Sequence, residues 1–184
     1  MGLLKSLCLQ RELKQRIADN HKRLYRTAYA WCHDTHLASD LVQETMAKAL
    51  KRIGQLRDAE KLDSWLFGIL VNCWRDHFRT QKETLDIDGL ELTDSQTPET
   101  QYHTQDIVKN VRRSIERLAE GQRQVVTLVD IEGFSYAEVA EILAIPVGTV
   151  MSRLSRARQT LADYLLSYKT AGEASSKPAL RRVK

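Results

Sequence analysis

The residues best equipped for chemistry lie between Met151 and Gln159. Ser152, Ser155, Arg156 and Gln159 fall on one helical face with Gly148, and Arg153 and Arg158 stand at its flanks. Hydroxyl, amide and guanidinium groups so arranged can read base edges and hold phosphates. A second group is Trp74, Arg75, Phe78 and Arg79. Rings interleaved with guanidinium groups suit single-stranded nucleic acid, because bases stack on the rings while phosphates meet Arg. The third group is Asp40, Gln43 and Glu44, with the two carboxylates one helical turn apart. An acidic patch on an otherwise basic protein suits a basic protein partner. The same residues can instead charge a helix N-terminus and pair Glu44 with Lys48.

Other chemistries find little support. The chain shows no paired carboxylates in a motif and no phosphate-cradling glycine loop, so no catalytic site or cofactor is expected. Cys32, His33 and His36 lie close together but lack a fourth ligand at useful spacing, which argues against a metal site. With Cys8 and Cys73 the cysteines are too scattered for a disulfide framework, and a reducing cytoplasm is the expected setting. No run approaches the ~20 apolar residues of a membrane span. The N-terminal MGLLKSLCLQRELK lacks a signal-peptide cleavage site, and Gly2 with Ser6 matches a myristoylation pattern only weakly. Twenty-eight basic residues against 24 acids give a net charge of +4 and a pI near 9.0, compatible with a nucleic-acid partner.

The elements that must position these groups are helices. Eight Gly and three Pro in 184 residues, with little alternating β-branched pattern, predict an all-α chain. Ser135 and Glu138 have the spacing of a capping box, opening a helix that Ala144-Ile145-Pro146 ends. Val147-Gly148-Thr149 opens the next helix, whose inner face is expected to be Val147, Val150, Leu154, Ala157 and Leu161. A short helix, a tight turn and a basic second helix form a helix-turn-helix. In the first half, a helix from Ser39 to about Ile53 would bury Leu41, Thr45, Leu50 and Ile53 behind Leu37. A second, from Leu62 to Lys82, would bury Leu62, Trp65, Leu66, Ile69, Leu70 and Cys73. Gln81 to Gln105 holds six acids against Lys82 alone, a net charge of −5, and reads as a flexible acidic linker. The expected division is therefore a first helical domain over 1–82, a linker over 83–105 and a helix-turn-helix domain over 106–168. A basic, disordered tail over 169–184 follows.

The run EGQRQVVTLVDIEGFSYAEVAEILAIPVGTVMSRLSRARQTL, Glu120 to Leu161, resembles region four of extracytoplasmic-function sigma factors, and DLVQET from Asp40 matches region two. The resemblance spans about residues 20 to 168, with both domains in the family's order. It implies that Met151, Ser152, Arg153, Ser155 and Arg156 contact the minus-35 promoter element. It implies that Asp40, Gln43 and Glu44 grip the coiled coil of the polymerase largest subunit. Minus-10 recognition would fall to the Gly54–Lys61 loop, with Arg57 and Asp58, and to Asn72, Arg75, Asp76 and Arg79. There a base is unstacked and held in a pocket. Core RNA polymerase and promoter DNA are the implied partners, and an anti-sigma factor, often membrane-bound, is a common further one. Three departures stand out: Met151 where the family commonly has Lys or Arg, Val71 where it often has Arg, and Leu118-Ala119 where it commonly has Leu-Pro. A 25-residue linker can extend to about 85 Å, enough to span elements about 80 Å apart. The competing reading is a helix-turn-helix regulator that does not recruit polymerase. It would need a receiver or ligand domain in front, and the first half shows no alternating strands.

Overall fold

The computed structural model describes residues 2–85, 111 and 113–175, and every regular element among them is helical. The first half comprises α1 (Gly2–Asp19), α2 (His21–Cys32), α3 (Thr35–Arg52) and α4 (Leu62–Leu85). The second half comprises α5 (Glu120–Val126), α6 (Tyr136–Leu143) and α7 (Val147–Ser175), with a π-type turn, Thr127–Ile131, extending α5. Most of the linker and the tail from residue 176 on lie outside the described residues; α4 continues three residues past Lys82, and residues 169–175, expected as the start of a disordered tail, instead continue α7 as helix.

Local sequence explains the boundaries. Asp34 caps α3 by accepting from the backbone N–H groups of His36 and Leu37, so this helix starts four residues before Ser39. Ser39 instead bonds back to the Thr35 carbonyl inside it. The expected core face of α3 needs correction: Leu50 is 44% exposed, and Ala49 takes the buried position beside Ala38, Leu41, Val42 and Thr45. The larger side chain marks the solvent side here because α3 packs closely against its neighbours through alanines. The capping box at Ser135–Glu138 forms as expected, with the Ser135 N–H donating to Glu138 and the Glu138 N–H to Ser135 Oγ. Ala144 ends α6 in the left-handed conformation, φ +50°, and Gly133, φ +81°, makes the turn that leads into it. Val150, Leu154 and Ala157 are buried and Leu161 is half-buried, but Val147 is 43% exposed, because it sits at the open first turn of α7.

The two halves share one core. On α4, Phe67, Val71 and Trp74 are buried together with the expected Leu62, Leu66, Ile69, Leu70 and Cys73. The Phe67 ring meets Phe134, just ahead of α6, edge-on at 5.0 Å. Trp74 packs edge-on against Trp31 and donates its indole N–H to Glu120 at 2.7 Å. A helix apolar on nearly every side is covered on nearly every side; α2 and α3 cover one face of α4, and α5 and α6 close over the other.

Candidate nucleic-acid interface

The loop expected to capture a base is built from two single turns of 3-10 helix, Ile53–Gln55 and Ala59–Lys61, with Asp58 capping the second by accepting from the Glu60 N–H. Between this loop and α4 lies a cleft of about 500 Å³. Arg57, Asp58 and Asn72 line it, as expected of minus-10 residues, and so do Arg52, Gln55, Lys61, Ser64 and Trp65. Trp65 was expected in the core; it is half-buried and forms a cleft wall. Lys61 falls at the end of the expected Gly54–Lys61 loop; Arg52 was missed because a lone cation at a helix end carries no periodic signal. The cleft thus combines an aromatic wall, amide and hydroxyl groups, and three cations, a set suited to an unstacked base and its phosphates.

The remaining α4 residues do not enter the cleft. Asp76 pairs with Arg79 at 3.3 Å and with Lys48 at 3.7 Å. Arg79 is largely exposed, with 72% of its side chain accessible. Arg75 reaches across to the other half and donates to the Leu143 carbonyl. Phe78 is partly exposed and packs against Trp74 with ring centroids 4.4 Å apart and the planes tilted by 57°; Trp74 is itself buried.

Asp40, Gln43 and Glu44 lie exposed on one side of α3. Glu44 accepts from Lys48 Nζ at 2.8 Å, one turn on. An exposed pair of this kind contributes little to stability and leaves both residues available to a partner. On α7, Met151, Ser152, Ser155 and Arg156 project outward, with Met151 54% exposed. Arg153 departs from this set: its guanidinium folds back over Gly121 of α5, where a Cβ would meet Nη1 at 2.9 Å. Gly121 is therefore the residue that lets Arg153 lie along the domain rather than in front of it. Arg158, at the other flank, forms two bonds to Asp130, at 3.1 and 2.6 Å.

Among the described residues no group of His, Cys, Asp or Glu is placed to hold a metal ion. Cys32 and Cys73 are unpaired, and burial, the leading cause in each case, raises both thiols above the usual range. Cys8 lies on α1.

Two family models match the chain in the order seen in the fold: Sigma-70 region 2 over residues 16–84 and Sigma-70 region 4 over residues 109–161. A relative described as the extracytoplasmic-function RNA polymerase sigma factor EcfG, from Rhodopseudomonas palustris, is 36% identical over 134 residues, covering 70% of this chain and 71% of its own. The chain belongs to the extracytoplasmic-function sigma factors. SigE of Mycolicibacterium smegmatis is 34% identical over 163 residues, which cover 85% of this chain and 62% of that one. Among solved structures, the sigma factor RpoE of Bartonella quintana, in complex with the anti-sigma factor NepR, superposes with a TM-score of 0.75 at 30% identity, covering 84% of this chain and 97% of that one. As a sigma factor the protein binds core RNA polymerase and directs promoter-specific initiation. A stand-alone helix-turn-helix regulator is excluded by the region-two half, which is polymerase-binding machinery.

Proposed function

We propose that this sigma factor divides its task over three surfaces: the α3 face of Asp40, Gln43 and Glu44 takes core polymerase, the loop–α4 cleft takes the minus-10 element, and the exposed face of α7 takes the minus-35 element. The observation that carries this reading is the cleft, where Trp65, Asn72 and Arg57 converge beneath a basic rim. It sits one helix away from an exposed acidic face, so melting and polymerase docking share one small scaffold. Arg75, Asp76 and Arg79 form the outer edge of the minus-10 surface, following the strand out of the cleft. Of the α7 residues, Met151, Ser152, Ser155 and Arg156 are assigned to bases and phosphates, and Arg153 to supporting α7 through Gly121.

The working units are taken as 1–82 and 106–168, with 83–105 joining them, although α4 runs on to Leu85 and α7 to Ser175. The protein acts in the cytoplasm as a DNA-recognition subunit without catalytic activity of its own; no helix among the described residues is long and apolar enough to cross a membrane. An anti-sigma factor is its natural regulator, in keeping with the complex formed by RpoE of Bartonella quintana. Run-off transcription with core polymerase over a genomic library tests the assignment. Discrete transcripts that require the protein are expected. Transcripts equal with and without it would refute the reading.

A further inference from the structure

Two apolar side chains near the start of α7 are left outside the core. Val150, Leu154 and Ala157 form the packed side of the helix, each 2% exposed or less, whereas Val147 is 43% and Met151 54% exposed. Val147 and Met151 stand one helical turn apart, so they make a single apolar edge on the outward side. Gly148 lies between them in sequence, and a Cβ built there would meet nothing within 4 Å. A glycine inside a helix costs stability relative to alanine, and internal packing does not ask for this one. It keeps the first turn of α7 low, which suits close approach by a ligand. The flanking cations are engaged elsewhere: Arg153 lies over Gly121, and Arg158 is held by Asp130 at 3.1 and 2.6 Å. Arg156 is left as the outward cation, beside Ser152 and Ser155.

An apolar edge on a face that reads nucleic acid needs an apolar group to meet. The major groove offers one: among the donors and acceptors of the base edges, the 5-methyl of thymine is the apolar group that projects. A recognition helix meets base edges with its N-terminal residues, which is where Val147 and Met151 lie. Resting on the assignment of α7 to the minus-35 element above, we propose that Met151, backed by Val147, is a specificity-determining residue that recognises a thymine methyl in that element. The contact buries one methyl group against a polarisable thioether, whose unbranched chain adapts to where the methyl lies. Because it is uncharged, it adds base preference without adding dependence on salt. Arg156 and the two hydroxyls supply the polar part of the same reading face.

The methyl group and the side chain can be removed in turn. Holoenzyme, assembled from core polymerase and the full-length chain, is titrated by gel shift against a promoter mapped by run-off transcription. Each thymine of the minus-35 segment, on either strand, is replaced singly by deoxyuridine, which lacks only the 5-methyl. At one position the wild type should lose about fourfold in affinity, the worth of one buried methyl group. Met151→Ala should lose a similar factor on the native duplex and then be indifferent to deoxyuridine at that position. Met151→Lys should also ignore the methyl, while the slope of log affinity against log salt steepens by about one. Three results would overturn the proposal: a wild type indifferent to deoxyuridine at every thymine, a Met151→Ala variant as sensitive to it as wild type, or a minus-35 segment with no thymine on either strand. Weaker capture of core polymerase by Met151→Ala without DNA would overturn it too, by giving the apolar edge to polymerase. Arg156→Ala keeps the two levels apart. If it weakens promoter binding while the methyl has no effect, α7 is on the DNA and only the methyl contact fails. If neither Arg156→Ala nor any change in the minus-35 segment alters binding, the assignment of α7 fails, and the methyl contact with it.

Discussion

At the scale of the residue, two substitutions separate the surfaces. Arg156 is exposed on α7 and free of intramolecular ion pairs among the described residues. Arg156→Ala should cost about 1–3 kcal/mol of promoter affinity if it reads a guanine edge, with core affinity unchanged. Gel-shift titration of the protein's own promoter measures it, and an unaltered shift would remove Arg156 from the reading face. Asp40→Lys with Glu44→Lys should leave the fold intact, since exposed substitutions cost little. Recovery of core polymerase in a pull-down should fall sharply, whereas wild-type recovery by the folded double variant would clear α3 of this role. The exposed members of both sets were legible in sequence, because helical spacing alone says which residues share a face. Arg153 was not: its direction depends on a glycine more than thirty residues away in α5, and no local pattern encodes that gap. Cys73 was legible as core, and its raised thiol makes it a packing residue rather than a reactive one.

At the scale of the element, Arg123 decides how α5 meets α2. One guanidinium donates to the Trp31 carbonyl at 2.7 Å, the Glu116 carbonyl at 3.1 Å and the Leu118 carbonyl at 3.0 Å, and contacts the His33 ring at 2.7 Å. It neutralises the C-terminal end of α2 and ties down the approach to α5 together. Arg123→Leu should destabilise the protein by about 2–4 kcal/mol in urea unfolding. Arg123→Lys should rescue little, since an ammonium cannot fork between carbonyls; full recovery by Lys would show that charge alone matters. The start of α5 offers a gain instead. Ala119 already has φ −56°, the value a proline ring imposes, at a position whose N–H makes no backbone bond. Ala119→Pro should therefore raise stability by about 0.4–1 kcal/mol, read as a higher urea midpoint with unchanged slope. The helices, the capping box and the turn between α6 and α7 were readable because each is written in neighbouring residues. The extra burial on α4 was readable only in part: Phe67, Val71 and Trp74 show a second apolar face, but nothing in that face names its partner.

At the scale of the whole molecule, the two halves respond to pH through His33. Burial first, and then the charge of Arg123, lower its pKa from the usual 6.5 to about 4. Arg123 Nη1, which can only donate, lies 2.7 Å from Nε2, so the packed state holds the ring neutral even though Glu116 stands 3.5 Å from Nδ1. Unfolded or separated chains take up the proton near 6.5, so stability from this site is complete above that pH and drains away as pH falls from 6.5 toward 4. Scattering or thermal melting across this window should show the loss. His33→Asn, which tolerates the left-handed backbone at φ +57°, should flatten the profile; an identical slope in the variant would assign the effect elsewhere. None of this was legible in sequence, where His33 drew notice only as a weak metal candidate and the halves read as independent. The shared core carries one more consequence. A protease cut within residues 86–110 severs the chain without touching Phe67–Phe134, Trp74–Glu120 or Arg23–Glu132. The two pieces should then elute from a sizing column as one species and melt in a single transition. Diluting that nicked pair until it dissociates turns the strength of the packing into an ordinary equilibrium constant, measured between two fragments of one polypeptide.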